Sequence, residues 1–150
     1  MKFSKLLFFA LGLLFFASCG DDPNPEELIV GTWELSSIVN SNCSDPDEND
    51  SQIFGDAGCE DIVGTIVCST ASLSFTAPST ARLSFDITAD GESVGNESQT
   101  GTYSFADNGM LTICFDGDCD EGTLTISETS MTWVISDSED GCDVTVKGSK

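Results

Sequence analysis

The chain contains no histidine. That removes the usual general base of Ser/His/Asp and Cys/His nucleophilic catalysis. It also removes the commonest zinc ligand, and no two cysteines stand in a C-x-x-C pair, so zinc has little to hold it. Cationic side chains are scarce: 5 Lys and Arg stand against 26 Asp and Glu, a formal net charge of -21. Such a balance repels phosphate backbones and anionic headgroups, which excludes nucleic acid as a partner. No long helical stripe runs through the chain, and no apolar run outside the N-terminal region reaches the length of a membrane span. Carboxylates suited to glycoside hydrolysis are plentiful, but they gather in turns rather than on facing strands. The chain therefore reads as a non-enzyme.

What is present begins at the N-terminus. Lys2 and Lys5 precede an apolar run from Leu6 to Ala17, then Ser18 and Cys19. The run is too short to span a bilayer and ends in small residues. Phe16-Ala17-Ser18-Cys19 resembles the bacterial lipobox, with Phe16 in place of the usual Leu. The resemblance implies that the Cys19 thiol takes a diacylglycerol and becomes the mature N-terminus. Residues 1–18 are then a lipoprotein signal peptide, and residues 19–27, rich in proline and acid, an extended lipidated tether. Gly20 differs from the Asp of an inner-membrane retention signal, and the acidic pair after it resembles the surface-export signal of Bacteroidetes lipoproteins. The expected location is the outer membrane or cell surface, reached by the secretory pathway, with the lipid anchor as the membrane contact.

Six cysteines remain beyond Cys19: Cys43, Cys59, Cys68, Cys114, Cys119 and Cys142. An even number in an exported chain predicts disulfides. Cys114 has the parity opposite to Ile113 and Phe115, so it points outward, and a bridge to Cys119 would pin the hairpin turn from outside. Either cysteine also reaches residues 39–68, and the other four have no assignable partners.

From Ile29 onward the apolar residues alternate with Ser and Thr, the pattern of half-buried strands. Asp90-Gly91, Asn108-Gly109, Asp116-Gly117 and Asp140-Gly141 punctuate it as hairpin turns. Eight strands follow, near 28–38, 69–76, 81–89, 99–106, 109–115, 121–127, 130–137 and 142–148. Eight antiparallel strands with one apolar face most simply close into an up-and-down barrel, which leaves no edges; a two-sheet sandwich is the alternative. One domain, 28–150, accommodates them, with a disulfide-rich insertion at 39–68 that interrupts the pattern. The insertion is Asn-, Asp- and Ser-rich and is expected to be held by bridges rather than by a core of its own.

Acids alternate at two places. Asp45, Asp47 and Asn49 stand where the first three ligands of an EF-hand-like calcium loop would be, although Asp50 replaces the Gly and Asp56 the Glu of that loop. Asp116, Asp118 and Asp120 repeat the spacing. Calcium is the one metal these residues suggest, and a solvated acidic loop is the competing explanation. No other cofactor is implied.

Gly31-Thr32-Trp33 on the first strand resembles the Gly-x-Trp signature of lipocalins. The layout resembles more closely the small lipocalin-like lipoproteins of Bacteroidetes. The matching pieces are Val30 to Leu35, Gly101 to Phe105, Gly122 to Ser127 and Met131 to Trp133. The resemblance implies that Trp33 plugs the closed end of the barrel against a basic residue, for which Lys147 is the nearest candidate. It also implies a small apolar or amphipathic ligand inside. Phe75, Phe85, Phe105, Phe115, Tyr103 and Trp133 face inward by parity and are bulky enough to fill the interior instead. A filled barrel would leave an interaction module whose acidic, stapled loops contact calcium, a glycan or a surface protein. Both readings stand at this point.

Overall fold

The computed structural model describes residues 24–106, 108–136 and 141–150. Cys19, the expected signal peptide (1–18) and residues 19–23 of the expected tether lie outside the described residues. Among the described residues the chain forms one short helix, α1 (Pro25–Ile29), and ten strands. These are β1 (Gly31–Ser41), β2 (Asp50–Ile53), β3 (Cys59–Ile62), β4 (Thr65–Thr76), β5 (Thr80–Ala89), β6 (Glu92–Phe105), β7 (Met110–Phe115), β8 (Asp118–Ile126), β9 (Ser130–Ser136) and β10 (Asp143–Ser149). No helix among these residues is long and apolar enough to cross a membrane.

Eight of the strands form a closed antiparallel barrel. Neighbours from β4 to β10 pair in sequence order, β10 pairs with β1, and β1 returns to β4 through Gly31–Glu34 against Ser72–Phe75. That last pairing excludes the sandwich. Alternation sets which side chains enter the core: Trp33 and Leu35 from β1, Leu73 and Phe75 from β4, Leu111 and Ile113 from β7, and Met131, Trp133 and Ile135 from β9 are buried. The Ser and Thr residues between them face water.

Three departures from the expected layout shape the barrel, one of them the early start of β6 at Glu92 rather than near 99. Residues 25–29 are helical rather than part of an extended tether, and the first strand starts at Gly31, not at 28. Asn24 accepts a hydrogen bond from the Glu26 amide (3.1 Å), Pro25 occupies the first turn, and Ile29 is buried. This is an N-cap, proline and acid start, which favours a helix. The insertion is also more ordered than its composition suggests. Strand β1 runs on to Ser41, β4 begins at Thr65, and β2 and β3 flank a 3-10 turn at Gly55–Gly58.

The geometry explains the insertion. β1 leaves β4 after Glu34, and a bulge between Leu35 and Ser37 shifts its register on β10. β2 then pairs with Ser37–Asn40 of β1, while β3 pairs with Thr65–Cys68 of β4. The segment wedges the seam that β1 and β4 open. Phe54 holds it: its amide donates to Ser36 O (3.0 Å) and its ring, 4% exposed, lies 6.1 Å from the Phe85 ring. The insertion therefore contributes a core residue as well as bridges.

Three disulfides join Cys43 to Cys142, Cys59 to Cys68 and Cys114 to Cys119. The first ties the base of the insertion to β10, the second staples β3 to β4, and the third crosses the β7–β8 hairpin.

Close backbone approach leaves no room for a Cβ at Gly58, Gly101 and Gly122, and Gly101 is the tightest of the three. A Cβ at Gly101 would overlap the Cys114 carbonyl oxygen and meet Phe115 Cδ1 at 2.7 Å. Both obstacles belong to β7, whose backbone is locked in the ladder. Gly101→Ala should cost about 1–3 kcal/mol of stability by overpacking, measured by urea unfolding. A variant as stable as the parent would show that β6 and β7 can separate there.

Candidate ligand site

The two ends of the barrel differ. At one end Ile29 closes the lumen from α1 and Trp33, 0% exposed, lies beneath it. The indole Nε1 of Trp33 donates to Ile29 O (2.8 Å). Lys150 Nζ sits 4.4 Å from the Trp33 ring centroid and donates to Leu28 O (2.7 Å) and Val30 O (2.9 Å). One ammonium thus satisfies carbonyls at the C-terminal end of α1 and faces the indole π cloud. The basic partner of Trp33 is therefore Lys150. Lys147, which the sequence suggested, pairs across β10 with Thr132 on the exposed face. Phe75 and Tyr103 meet edge to face at 5.1 Å and belong to the same buried cluster. Burial, and then the nearby Glu26 carboxylate, push the Tyr103 hydroxyl pKa up, so it stays protonated.

Midway along the barrel Trp133 is buried, and its Nε1 has no hydrogen-bond partner. It lies against Gly122, where a Cβ would meet it at 2.7 Å. A buried donor left unpaired in an otherwise satisfied interior is unusual.

The other end is open. Phe85 is opposite Glu97 and Leu83 opposite Gln99, so these four share the inward face of β5 and β6. β6 pairs with β7 only from Thr102 onward, which leaves Glu92–Gly101 without a partner on that side. Gln99 Nε2 spans the gap to Asp116 Oδ2 (2.5 Å) at the β7–β8 turn. Leu83, Phe85, Glu97, Ser98, Gln99 and Asp116 surround a hollow of about 530 Å³. Asp118 is opposite Phe115 and Asp120 opposite Ile113, so both carboxylates stand on the lumen side of the rim, exposed.

Of the six bulky residues expected inside, Phe75, Tyr103 and Trp133 are buried, whereas Phe85, Phe105 and Phe115 are only partly so. The aromatics fill one end and the middle, and leave the mouth unfilled.

The residues considered for calcium serve their own loops. Asp45 Oδ1 caps the Asp47 amide (3.0 Å) of a 3-10 turn at Pro46–Glu48. Asn49 Oδ1 accepts from the Cys43 amide (3.3 Å), and its Nδ2 donates to Pro46 O (3.0 Å). Asp116 receives Gln99. Among the described residues no group of three or more His, Cys, Asp or Glu is placed to hold a metal ion. The side chain of Asp143, where the Cys43–Cys142 bridge meets β10, accepts from Asn42 Nδ2 (2.8 Å). That bond, with one from Ser136, holds its carboxyl pKa below the ordinary aspartate value.

Residues 29–133 match the family model described as a lipocalin-like domain. The chain belongs to that family. In this lipocalin-like domain the match begins at the residue that closes the barrel and runs through Trp133. No curated protein matches the chain. Among solved structures, a redesigned β-barrel is similar at 17% identity, covering 83% of this chain and 93% of that one, with a TM-score of 0.46. A redesigned β-barrel bound to DFHBI shares 19% identity over 82% of this chain and 99% of its own, with a TM-score of 0.42. A de novo designed fluorescence-activating β-barrel gives 17% identity, 83% and 95% coverage, and a TM-score of 0.42.

Proposed function

We propose that this protein is an exported, lipid-anchored carrier or sensor that holds a small amphipathic molecule in the mouth of its barrel. The asymmetry of the two ends carries the reading. One end is sealed by Ile29, Trp33 and Lys150. The other holds a hollow of about 530 Å³ with Leu83 and Phe85 as its apolar wall and Glu97, Gln99 and Asp116 as its polar one. The volume is in the range of small-molecule sites, and two apolar side chains among four polar ones suit an amphipathic rather than a purely apolar ligand. The carboxylates favour a ligand whose polar end donates hydrogen bonds or carries positive charge. Members of the family are typically binding domains rather than enzymes, in keeping with the missing histidine. Three disulfides support an oxidising compartment, and acylation at Cys19 would supply the anchor.

Native mass spectrometry of the lipidated protein from its own envelope, with and without chelator, tests this. A discrete mass lost on denaturation, beside acyl chains on Cys19, is expected. A mass lost only with chelator would assign the acidic loops to calcium instead. A bare acylated chain would turn the reading toward a solid interaction module. Phe85→Ala should weaken retention of a neutral amphiphilic dye about tenfold, the equivalent of about 1.4 kcal/mol, in a fluorescence titration. Unchanged affinity would remove the mouth as the site.

A further inference from the structure

We propose that the tip of the β3–β4 hairpin is a docking finger for a protein partner that offers an apolar pocket ringed by lysine or arginine. Among the described residues three two-residue hairpin turns open on a positive-φ residue followed by glycine. They are Val63-Gly64 (φ 56° and 88°), Asp90-Gly91 (50° and 84°) and Asp116-Gly117 (52° and 100°). This conformation suits Asp and Gly and is disfavoured for a β-branched side chain. Two turns follow that preference and the third carries valine. Burial does not compensate for it, because Val63 is 101% exposed.

Its neighbours extend the apolar surface. Ile62 and Ile66 are 53% and 46% exposed. Ile62 is opposite Thr65 and Ile66 opposite Asp61, so the two isoleucines stand on opposite faces of the hairpin. A narrow ribbon that is apolar at its tip and on both flanks is shaped to insert rather than to lie flat. It is also rigid. Cys59–Cys68 staples its base, the Gly64 amide donates to Asp61 Oδ1 (2.7 Å), and Ile66 exchanges hydrogen bonds with Asp90 (3.0 and 2.9 Å). Little freedom remains to be lost on docking.

Charge selects the occupant. Glu60, Asp61, Asp90 and Glu92 flank the tip in the chain and across the turn pair. Among the described residues the cations stand elsewhere: Arg82 opposite Ser74, Lys147 opposite Thr132, and Lys150 on Leu28 and Val30. An anionic bilayer is repelled by these acids, and a second copy brings the same acids to the contact. A protein pocket rimmed with bases complements them. The inference is independent of what the barrel mouth binds.

The test places a benzophenone side chain at position 63 of the full chain in the cells that make it, with the same group at position 125, on the outer face, as the control. One identified protein should cross-link from position 63 and not from 125. Purified, it should bind the full chain about tenfold or more weakly at high salt than at low salt. Val63→Asp should weaken that binding by at least about tenfold. Because Val63→Asp gives the turn the sequence of the other two, its melting temperature should hold or rise by about 2–5 °C. Lost binding then cannot be mistaken for unfolding. Adducts with lipid alone, adducts with a second copy, or no adduct would each overturn the proposal. A partner indifferent to salt or to Val63→Asp would do the same.

Discussion

Trp33→Ala should remove about 3–5 kcal/mol of folding free energy, the range for emptying a buried Trp or Phe site. A domain of this size has about 5–15 kcal/mol in total, so the variant gives up a large share of its stability. Three losses act together. The largest side chain of the core vanishes from a site that is 0% exposed. The Ile29 carbonyl loses the indole donor, and the Lys150 ammonium loses its aromatic face. The surroundings relax poorly, because α1 is a single turn whose only buried residue, Ile29, rests on the same plug. Trp33→Phe separates the contributions. It keeps most of the apolar volume and drops the hydrogen bond, so it should cost less than half as much. Urea unfolding followed by far-ultraviolet circular dichroism measures both without relying on the remaining Trp133. A cost below about 1 kcal/mol for Trp33→Ala, far under the cavity range, would mean that the closed end collapses onto the hole and is not a plug.

The strand plan was legible because alternation is a strong local signal and the Asp-Gly turns are frequent. The ends of Ser130–Ser136 and Asp143–Ser149 differ from expectation by about a residue, whereas β6 starts at Glu92 rather than near 99 and β8 at Asp118 rather than near 121, because Ser, Asn, Asp and Glu on both faces there carry no apolar alternation. Parity also showed that Cys114 faces away from Ile113 and Phe115, and Cys114 is bridged to Cys119. What parity cannot give is depth. Phe75 and Phe85 alternate identically, yet one is buried and the other stands at the mouth, a difference set by distance from the plug. Phe54 was missed because a lone aromatic in a polar stretch has no period, and its burial depends on the seam that β1 and β4 open. Helix α1 did have a signal: Asn24, Pro25 and two glutamates are an N-terminal cap sequence, read instead as tether composition. Lys150 was overlooked in favour of Lys147 because its partners, Leu28 and Val30, lie at the far end of the chain. Alternating acids are ambiguous by themselves. The spacing that presents oxygens to calcium also lets Asp45 reach its own Asp47 amide.

The three bridges should rank by the chain they enclose. Cys43–Cys142 joins residues 99 apart in sequence, Cys59–Cys68 residues 9 apart, and Cys114–Cys119 residues 5 apart. Restricting the unfolded chain is worth about 4–5 kcal/mol for the long loop and about 2 kcal/mol for the shortest. The double variant Cys43→Ala/Cys142→Ala should therefore be the least stable of the three bridge knockouts, losing about 4–5 kcal/mol. Its loss also removes the covalent tie between the base of the insertion and the start of β10, leaving the Asn42–Asp143 hydrogen bond, the β2 pairing, the Phe54 contacts and Cys59–Cys68 to hold the wedge. Cys114→Ala/Cys119→Ala should cost about 2 kcal/mol or less. Its hairpin keeps the Asp116-Gly117 turn and the ladder from Met110 to Phe115. Urea unfolding of the three double variants gives the order directly. If the short bridge proved the costliest, loop closure would not be what these disulfides contribute, and the rim around Asp116 would have to owe its shape to the bridge itself.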